Sequence, residues 1–414
     1  MNLAPYLEVF RSRRIAVLLL LGFASGLPLA LTSGTLQAWM AVEGVDITTI
    51  GLFTLVGLPY TWKFLWAPLM DRYVPPWLGR RRGWILAAQL LLMAGIAAMG
   101  ALSPATAPWA VAALALFVAF SSASQDIVFD AYRTDLLRER ERGAGAAVSV
   151  LGYRIAMLVS GALALILADH MGWRETYWLM AGLMIIGVAA AFWGPEPDGE
   201  MKPPRSLRQA VAEPLTEFFS RGGALWLLAL IVLYKIGDAF AGSLTTAFLI
   251  RGAGFSPTEV GAINKGMGLV ATIVGALFGG ALMVKLRLYR ALMLFGVLQA
   301  VSNLTFMWLA TAGKSYSVMV LAVAFENLAG GMGTAAFVAL LMALCNHRYT
   351  ATQYALLSAL AAVGRVYVGP ASGYVVEAVG WVSFFFLTFL AALPGLALLR
   401  AMRATVDALE RRGE

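Results

Sequence analysis

Several ionisable side chains lie inside long apolar stretches of the chain: Lys63, Asp126, Asp130, Arg133, Asp135, Arg154, Lys235, Asp238, Lys265, Glu326 and Arg365. At the middle of a bilayer and facing lipid, each would cost about 3 kcal/mol or more. Each must therefore face protein or water. Five of them are cations: Lys63, Arg154, Lys235, Lys265 and Arg365. A carboxylate can hold or release a proton as water reaches it, because burial favours the neutral acid and a nearby cation favours the charged form. Asp126 is expected to face Arg154 and act as the principal proton site. Asp130, one turn away on the same face, stands in support. Asp238 is three residues from Lys235, so the two either neutralise each other or share a ligand. Glu326 and Arg365 either pair as a latch between helices or bind. Arg133 and Asp135 belong to a helix mouth.

Neutral amide side chains within the spans include Gln37, Gln125, Asn264, Asn327 and Gln353. They serve a ligand or bond between helices. Enzyme chemistry is poorly provided for. The two histidines, His170 and His347, lie in or near loops, and the single cysteine is Cys345. No His/Cys cluster has the makings of a metal site. No phosphate-binding glycine loop follows a strand. The expectation is a carrier that is not an enzyme, uses no cofactor or metal, and is facilitated or ion-driven.

The elements that must position these groups are set by length and composition. The chain is 60% hydrophobic and 13% charged, against about a quarter charged in soluble domains. Its apolar residues come in blocks of about 20 or more, enough to cross the hydrocarbon core. Such blocks must be helices, since lipid offers the backbone no partners. The alternating strands of a barrel are absent. The spans read as 15–40, 49–70, 83–103, 108–136, 143–168, 173–193, 223–250, 257–284, 290–311, 315–344, 350–377 and 380–400. The first follows Arg11, Arg13 and Arg14, but its apolar run is far longer than a signal peptide's. Spans 3, 6, 9 and 12 hold none of the buried charges.

Loop charge orients the spans. Lysine and arginine crowd one set of alternate loops, from Arg13 and Arg14 through Arg80, Arg81 and Arg82 to Arg400 and Arg403. The other set holds only Arg174, Arg251 and Lys314. Both termini are therefore expected in the cytoplasm. The net charge of +8 is a consequence of topology and does not call for nucleic acid.

The long break at 194–222 reads as a cytoplasmic linker between a six-helix half, 1–193, and a second, 223–414 with a short cytoplasmic tail. The halves share a register. Gly44, Thr48 and Gly51 recur as Gly254, Thr258 and Gly261, and Arg80 recurs as Arg290. Arg154 and Arg365 occupy matching spans near the midplane. Internal repeats with a site between them are a transporter design. Gly275 and Gly279 are expected to pack helices closely. Gly26-Leu27-Pro28 is a candidate bend in span 1. Trp39, Trp62 and Trp66 are candidates for sugar stacking, with Trp39 better placed as an interface anchor.

The loop after span 2, Asp71-Arg72 … Gly79-Arg80-Arg81-Arg82, resembles the gating loop of the major facilitator superfamily. Longer strings are similar to AmpG-type muropeptide permeases: Leu21-Gly-Phe-Ala-Ser-Gly-Leu-Pro through Trp39, Gln125-Asp126-Ile-Val-Phe-Asp130, Leu151-Gly-Tyr-Arg154, Tyr234-Lys235-Ile-Gly-Asp238 and Phe325-Glu326-Asn327. The resemblance covers nearly the whole chain, although longer members continue past the twelfth span. It implies an all-α membrane protein with twelve transmembrane helices in two six-helix halves. It also implies proton-coupled import of anhydro-muropeptides into the cytoplasm across the bacterial inner membrane, by alternating access, for cell-wall recycling. The substrate is N-acetylglucosaminyl-1,6-anhydro-N-acetylmuramic acid, with or without stem peptide. Its carboxylates suit the cations named above, and its N-acetyl and hydroxyl groups suit the amides. The partners are then this substrate, protons and the bilayer, with no nucleic acid, and the chain is expected to be a monomer. Two other readings stay open: a carrier of another bulky anion, such as an acyl-CoA-like or sugar-phosphate compound, and a sensor that binds muropeptide without carrying it.

Overall fold

A computed structural model describes residues 12–137, 142–197, 216–220, 223–283, 285–345 and 350–411. Most of the 194–222 linker lies outside the described residues, as do His347 and loop residues such as Arg138, Arg140 and Arg348. No strand occurs among the described residues. The helices are α1 Arg13–Leu31, α2 Gly34–Val42, α3 Ile47–Leu52, α4 Leu58–Trp62, α5 Ala67–Arg72, α6 Arg80–Gly100, α7 Pro108–Leu136, α8 Arg142–Met157, α9 Ala164–Met171, α10 Trp173–Leu183 and α11 Ile185–Trp193. They continue with α12 Ala224–Ala247, α13 Pro257–Glu259, α14 Gly268–Met283, α15 Leu288–Ala312, α16 Tyr316–Leu344, α17 Thr350–Tyr367, α18 Gly369–Ala401 and α19 Arg403–Arg411.

Ten helices among the described residues are long and apolar enough to cross a membrane, against the twelve spans expected. Two places account for the difference. The second span is a series of short pieces, α3, α4 and α5, joined by 3-10 turns at Phe53–Gly57 and Lys63–Leu65. The last two spans run on as one stretch through α17 and α18, with a bend at Val368 and a break at Gly380, whose φ of 74° a helix does not allow. In span 1 the break falls at Thr32 and Ser33, beyond Gly26-Leu27-Pro28. Pro28 is accommodated inside α1, and its carbonyl accepts from both the backbone N and the Oγ1 of Thr32 at 3.0 Å.

By contact the chain forms two compact units. The first comprises Met1–Gly44 and Val56–Arg205; the second comprises Val45–Leu55 and Ser206–Glu414. In the first, α1 lies along α8 at backbone distance. Gly26 makes this possible, since a Cβ there would sit 2.6 Å from the Tyr153 carbonyl oxygen. Small residues at such contacts are how membrane helices gain close packing. Buried tyrosines find acceptors: Tyr177 donates to the Leu31 carbonyl at 2.8 Å and Tyr132 to that of Pro195 at 2.7 Å. Trp39, expected at an interface, is 2% exposed. It stacks on Trp173 and donates to Glu43 Oε1 at 2.7 Å, so it packs the unit's interior.

In the second unit, α14 meets α16 through Gly275 against the Leu328 carbonyl and Gly331 against that of Thr272. Tyr234 of α12 stacks on Phe337 of α16 and donates to the Leu292 carbonyl of α15 at 2.9 Å. One side chain thereby ties three helices. Large apolar side chains also point outward, Leu277 and Trp226 among them, as helices bordering lipid require. Residues 45–55 pack in this unit. Asp46 caps α3 by accepting from Thr49 N at 2.7 Å, and Thr48 N donates to Glu377 Oε1 at 3.2 Å.

Candidate functional site

Each unit holds its own cluster of buried polar groups. In the first, Asp126 sits two-thirds of the way along α7, and its Oδ1 accepts from Ser25 Oγ of α1 at 2.7 Å. The cation whose charge reaches it is Lys63, at the 3-10 turn that interrupts span 2. The expected pair with Arg154 is not formed among the described residues. The reason is which helix stands beside α7: α1 packs against both α7 and α8 and takes the place next to Asp126. Arg154, part-buried on α8, has Met157 Sδ 3.8 Å from its Nη1. Gln125 is 1% exposed, and neither polar atom of its amide has a hydrogen-bond partner among the described residues. An unsatisfied buried amide is costly, which marks Gln125 as a place where a ligand or water would be held. Gln37, on α2, is half-buried.

Asp130, one turn further on, is exposed and pairs with Arg133 at 3.0 Å; Arg133 also reaches Ser149 Oγ at 3.1 Å. Asp135 pairs with Arg81 at 2.9 Å, both side chains nearly buried. The expected gating loop is anchored through that arginine. Arg81 N also reaches Glu196 Oε1 at 3.4 Å, and Gly79, with φ 76°, leaves the space that this carboxylate fills, since a Cβ there would lie 2.8 Å from it. Arg80 opens α6 behind it. Asp71 and Arg72 end α5; their side chains lie outside what is described.

In the second unit, Lys235 and Asp238 of α12 are one turn apart, with Nζ to Oδ2 at 3.4 Å. The same Oδ2 accepts from Gln299 Nε2 of α15 at 2.6 Å. Lys265 lies in a widened helical turn at Val260–Met267 and donates to Thr246 Oγ1 of α12 at 2.9 Å. Turns of this π type are frequent at functional sites. Glu326 of α16 is flanked electrostatically by Asp238 and Lys265. The expected latch to Arg365 is not formed among the described residues, because Glu326 faces α12 and the Lys265 turn while Arg365, on α17, is exposed. Asn327 Oδ1 accepts from Thr272 Oγ1 of α14 at 3.0 Å, and its Nδ2 donates to the Val323 carbonyl of its own helix at 2.9 Å.

Attention to ionisable residues alone misses Ser25, Thr246 and Gln299, each of which holds a charged group. Their signal was available as a polar side chain within an apolar block. Asn303, one turn from Gln299 and 1% exposed, belongs with them.

Helices fit to span a membrane, buried charged and amide side chains among them, and an arginine-anchored loop are features of a membrane transporter. A family model for the Major Facilitator Superfamily matches residues 18–366. The chain belongs to that superfamily and, within it, to the AmpG-type permeases. It is 61% identical over 405 residues to the "Anhydromuropeptide permease" of Escherichia coli strain K12, covering 98% of this chain and 82% of that one. It is 33% identical to the "Putative transporter AmpG 4" of Rickettsia felis, covering 97% and 99%. In fold it is similar to a bacterial homologue of the human lysosomal transporter Spinster, with a TM-score of 0.72 at 15% identity over 97% of this chain and 98% of that one.

Proposed function

We propose that the protein imports anhydro-muropeptides from periplasm to cytoplasm, coupled to protons. The substrate class is N-acetylglucosaminyl-1,6-anhydro-N-acetylmuramic acid, with or without stem peptide. The observation that carries this reading is the 61% identity, across 98% of the chain, to a relative named for that substrate. The chemistry of the site supports it. Lys63, Arg154, Lys235, Lys265 and Arg365 are the cations for muramic and peptide carboxylates. Gln37, Gln125 and Asn327 are the amide partners for its N-acetyl and hydroxyl groups, and Asp238 and Glu326 balance the cations. Asp126 is the proton site, with Asp130 in support, and alternating access moves both cargoes. One proton moving with the membrane potential gains about 2.3 kcal/mol per 100 mV, so no cofactor is required. The two six-helix halves, 1–193 and 223–414, are the moving parts. The protein works as a monomer in the inner membrane with both termini in the cytoplasm.

Uptake of labelled anhydro-muropeptide into proteoliposomes, with and without an imposed pH gradient, tests the reading. Gradient-dependent accumulation is expected, with competition by unlabelled muropeptide and none by a sugar phosphate or acyl-CoA. Accumulation of either of the latter in its place would overturn the substrate. Uptake indifferent to the gradient would overturn the coupling.

A further inference from the structure

Span 9 holds none of the buried charges, yet it sends a side chain into the charged cluster of the second unit. Gln299 of α15 is 4% exposed. Its Nε2 lies 2.6 Å from Asp238 Oδ2, whereas Lys235 Nζ lies 3.4 Å from that same oxygen. Two donors thus meet one carboxylate oxygen, and the neutral one makes the shorter bond. Among the described residues, Lys235 also lies over the face of Phe337, 5.7 Å from its Nζ to the ring centroid. The amide has a built seat. Gly333 of α16 faces it, and a Cβ at that position would lie 2.5 Å from Gln299 Oε1.

The N-terminal half supplies a comparison. The register that carries Gly44 onto Gly254 and Arg80 onto Arg290 also carries Gln89 onto Gln299, Ser25 onto Lys235 and Pro28 onto Asp238. Gln89 is equally buried and faces Gly187 much as Gln299 faces Gly333. Its amide, however, has no hydrogen-bond partner among the described residues. Both halves keep the buried glutamine opposite a glycine, but only the second half gives it an acid to hold and a lysine to free.

We propose that Gln299 is a positioning residue of the anion site. By donating to Asp238 it keeps Lys235 from being consumed in a closed ion pair one turn apart on its own helix. The Lys235 ammonium is then available to a carboxylate of the substrate. This rests on the reading that the substrate is an anionic muropeptide. A buried carboxylate needs donors, and an amide supplies one without spending a cation.

The test replaces Gln299 by Met, which has nearly the same volume and no donor; Gln299→Leu is the second variant if the first is not monodisperse. The first measurement is the rate of reductive methylation of Lys235 by formaldehyde and cyanoborohydride in the purified protein, read by mass spectrometry. The second is KM and maximal rate for labelled anhydro-muropeptide in proteoliposomes. Without the amide, Lys235 should close onto Asp238. Its methylation should slow several-fold, and KM should rise about tenfold with maximal rate nearly kept, the pattern of lost ground-state binding. Adding Asp238→Asn to Gln299→Met should return Lys235 methylation to the wild-type rate, which a repair of mere packing would not do. Gln89→Met, which removes the equivalent amide where no acid stands, should leave methylation unchanged. Unchanged methylation and KM in Gln299→Met overturn the proposal, as does slowing that Asp238→Asn fails to relieve or that Gln89→Met reproduces. If the wild-type protein takes up no muropeptide, the substrate reading fails, while the methylation arm still decides whether Gln299 governs the pair.

Discussion

Ser25 Oγ on α1 donates to Asp126 Oδ1 on α7 at 2.7 Å, so the candidate proton site of the first unit is held by a neutral hydroxyl with Lys63 as its cationic neighbour. A hydrogen bond to a charged group is worth about 1.5–3 kcal/mol. A carboxylate held in this way can exchange its proton without breaking a direct ion pair.

Asp126→Asn mimics the protonated acid. It is expected to abolish accumulation against a gradient while leaving counterflow exchange measurable. Ser25→Ala should lower gradient-driven uptake by about tenfold, in keeping with the loss of one such bond. Normal accumulation by Asp126→Asn in vesicles with an imposed pH gradient would move the search to Asp130, Asp238 and Glu326.

Arg365 is exposed on α17 and makes no ion pair with Glu326 among the described residues. Arg365→Gln should therefore fold and insert normally yet bind anionic muropeptide about tenfold less tightly, the loss of one charge-assisted contact. Affinity measured on monodisperse protein decides this. An unchanged affinity would remove Arg365 from the binding set.

Both termini and the 194–222 linker are expected in the cytoplasm because lysine and arginine crowd the loops on that side. Reporter fusions after Pro104 and after Gly313 should give periplasmic signals. A cytoplasmic signal at either position breaks the twelve-span topology.

The Asp46 cap lies outside the spans and gives a pH effect. Burial alone would raise its carboxyl, but the bonds from Thr49 and the charge of Arg251 outweigh that and hold it below the usual carboxylate range. A depressed folded-state value means the contribution is present above the unfolded value and is lost as pH falls through the folded one. Amides of Ile47–Leu52 should therefore exchange faster, relative to their intrinsic rates, as pH drops below about 4. Asp46→Asn, which also caps helices well, should show no such change. Equal behaviour of the two proteins would remove the carboxylate from the effect.

Gly331 sits against the Thr272 carbonyl where α16 meets α14. Gly331→Val should separate the helices, at the cost of about 1–3 kcal/mol typical of overpacking. A lower melting temperature in detergent, with Gly280→Ala as a neutral control, is the measurement; no Cβ contact awaits at Gly280. A melting temperature equal to wild type would show that the contact can yield.

The sequence by itself determined that the chain is a bundle of membrane helices, because only helices satisfy a backbone in lipid and the apolar blocks have the length to cross it. It also determined which residues are expensive to place against lipid, and so which must face protein or water. The glycine pair Gly275 and Gly279 announced a close helix contact, and the loop strings announced the superfamily. What the tertiary structure decided is who stands beside whom. Asp126 meets Ser25 and Lys63 in place of Arg154, and Glu326 faces Lys265 in place of Arg365. Asp238 is held by a glutamine from a span with none of the buried charges. The reason is geometric. On a helix, a rotation of one residue turns a side chain by about 100°, and only packing chooses the neighbouring helix that each face meets. Span 2 was apolar enough to read as one rod, yet short 3-10 turns divide it and Lys63 opens one of them. That break depends on what packs around it, which hydrophobic length does not encode.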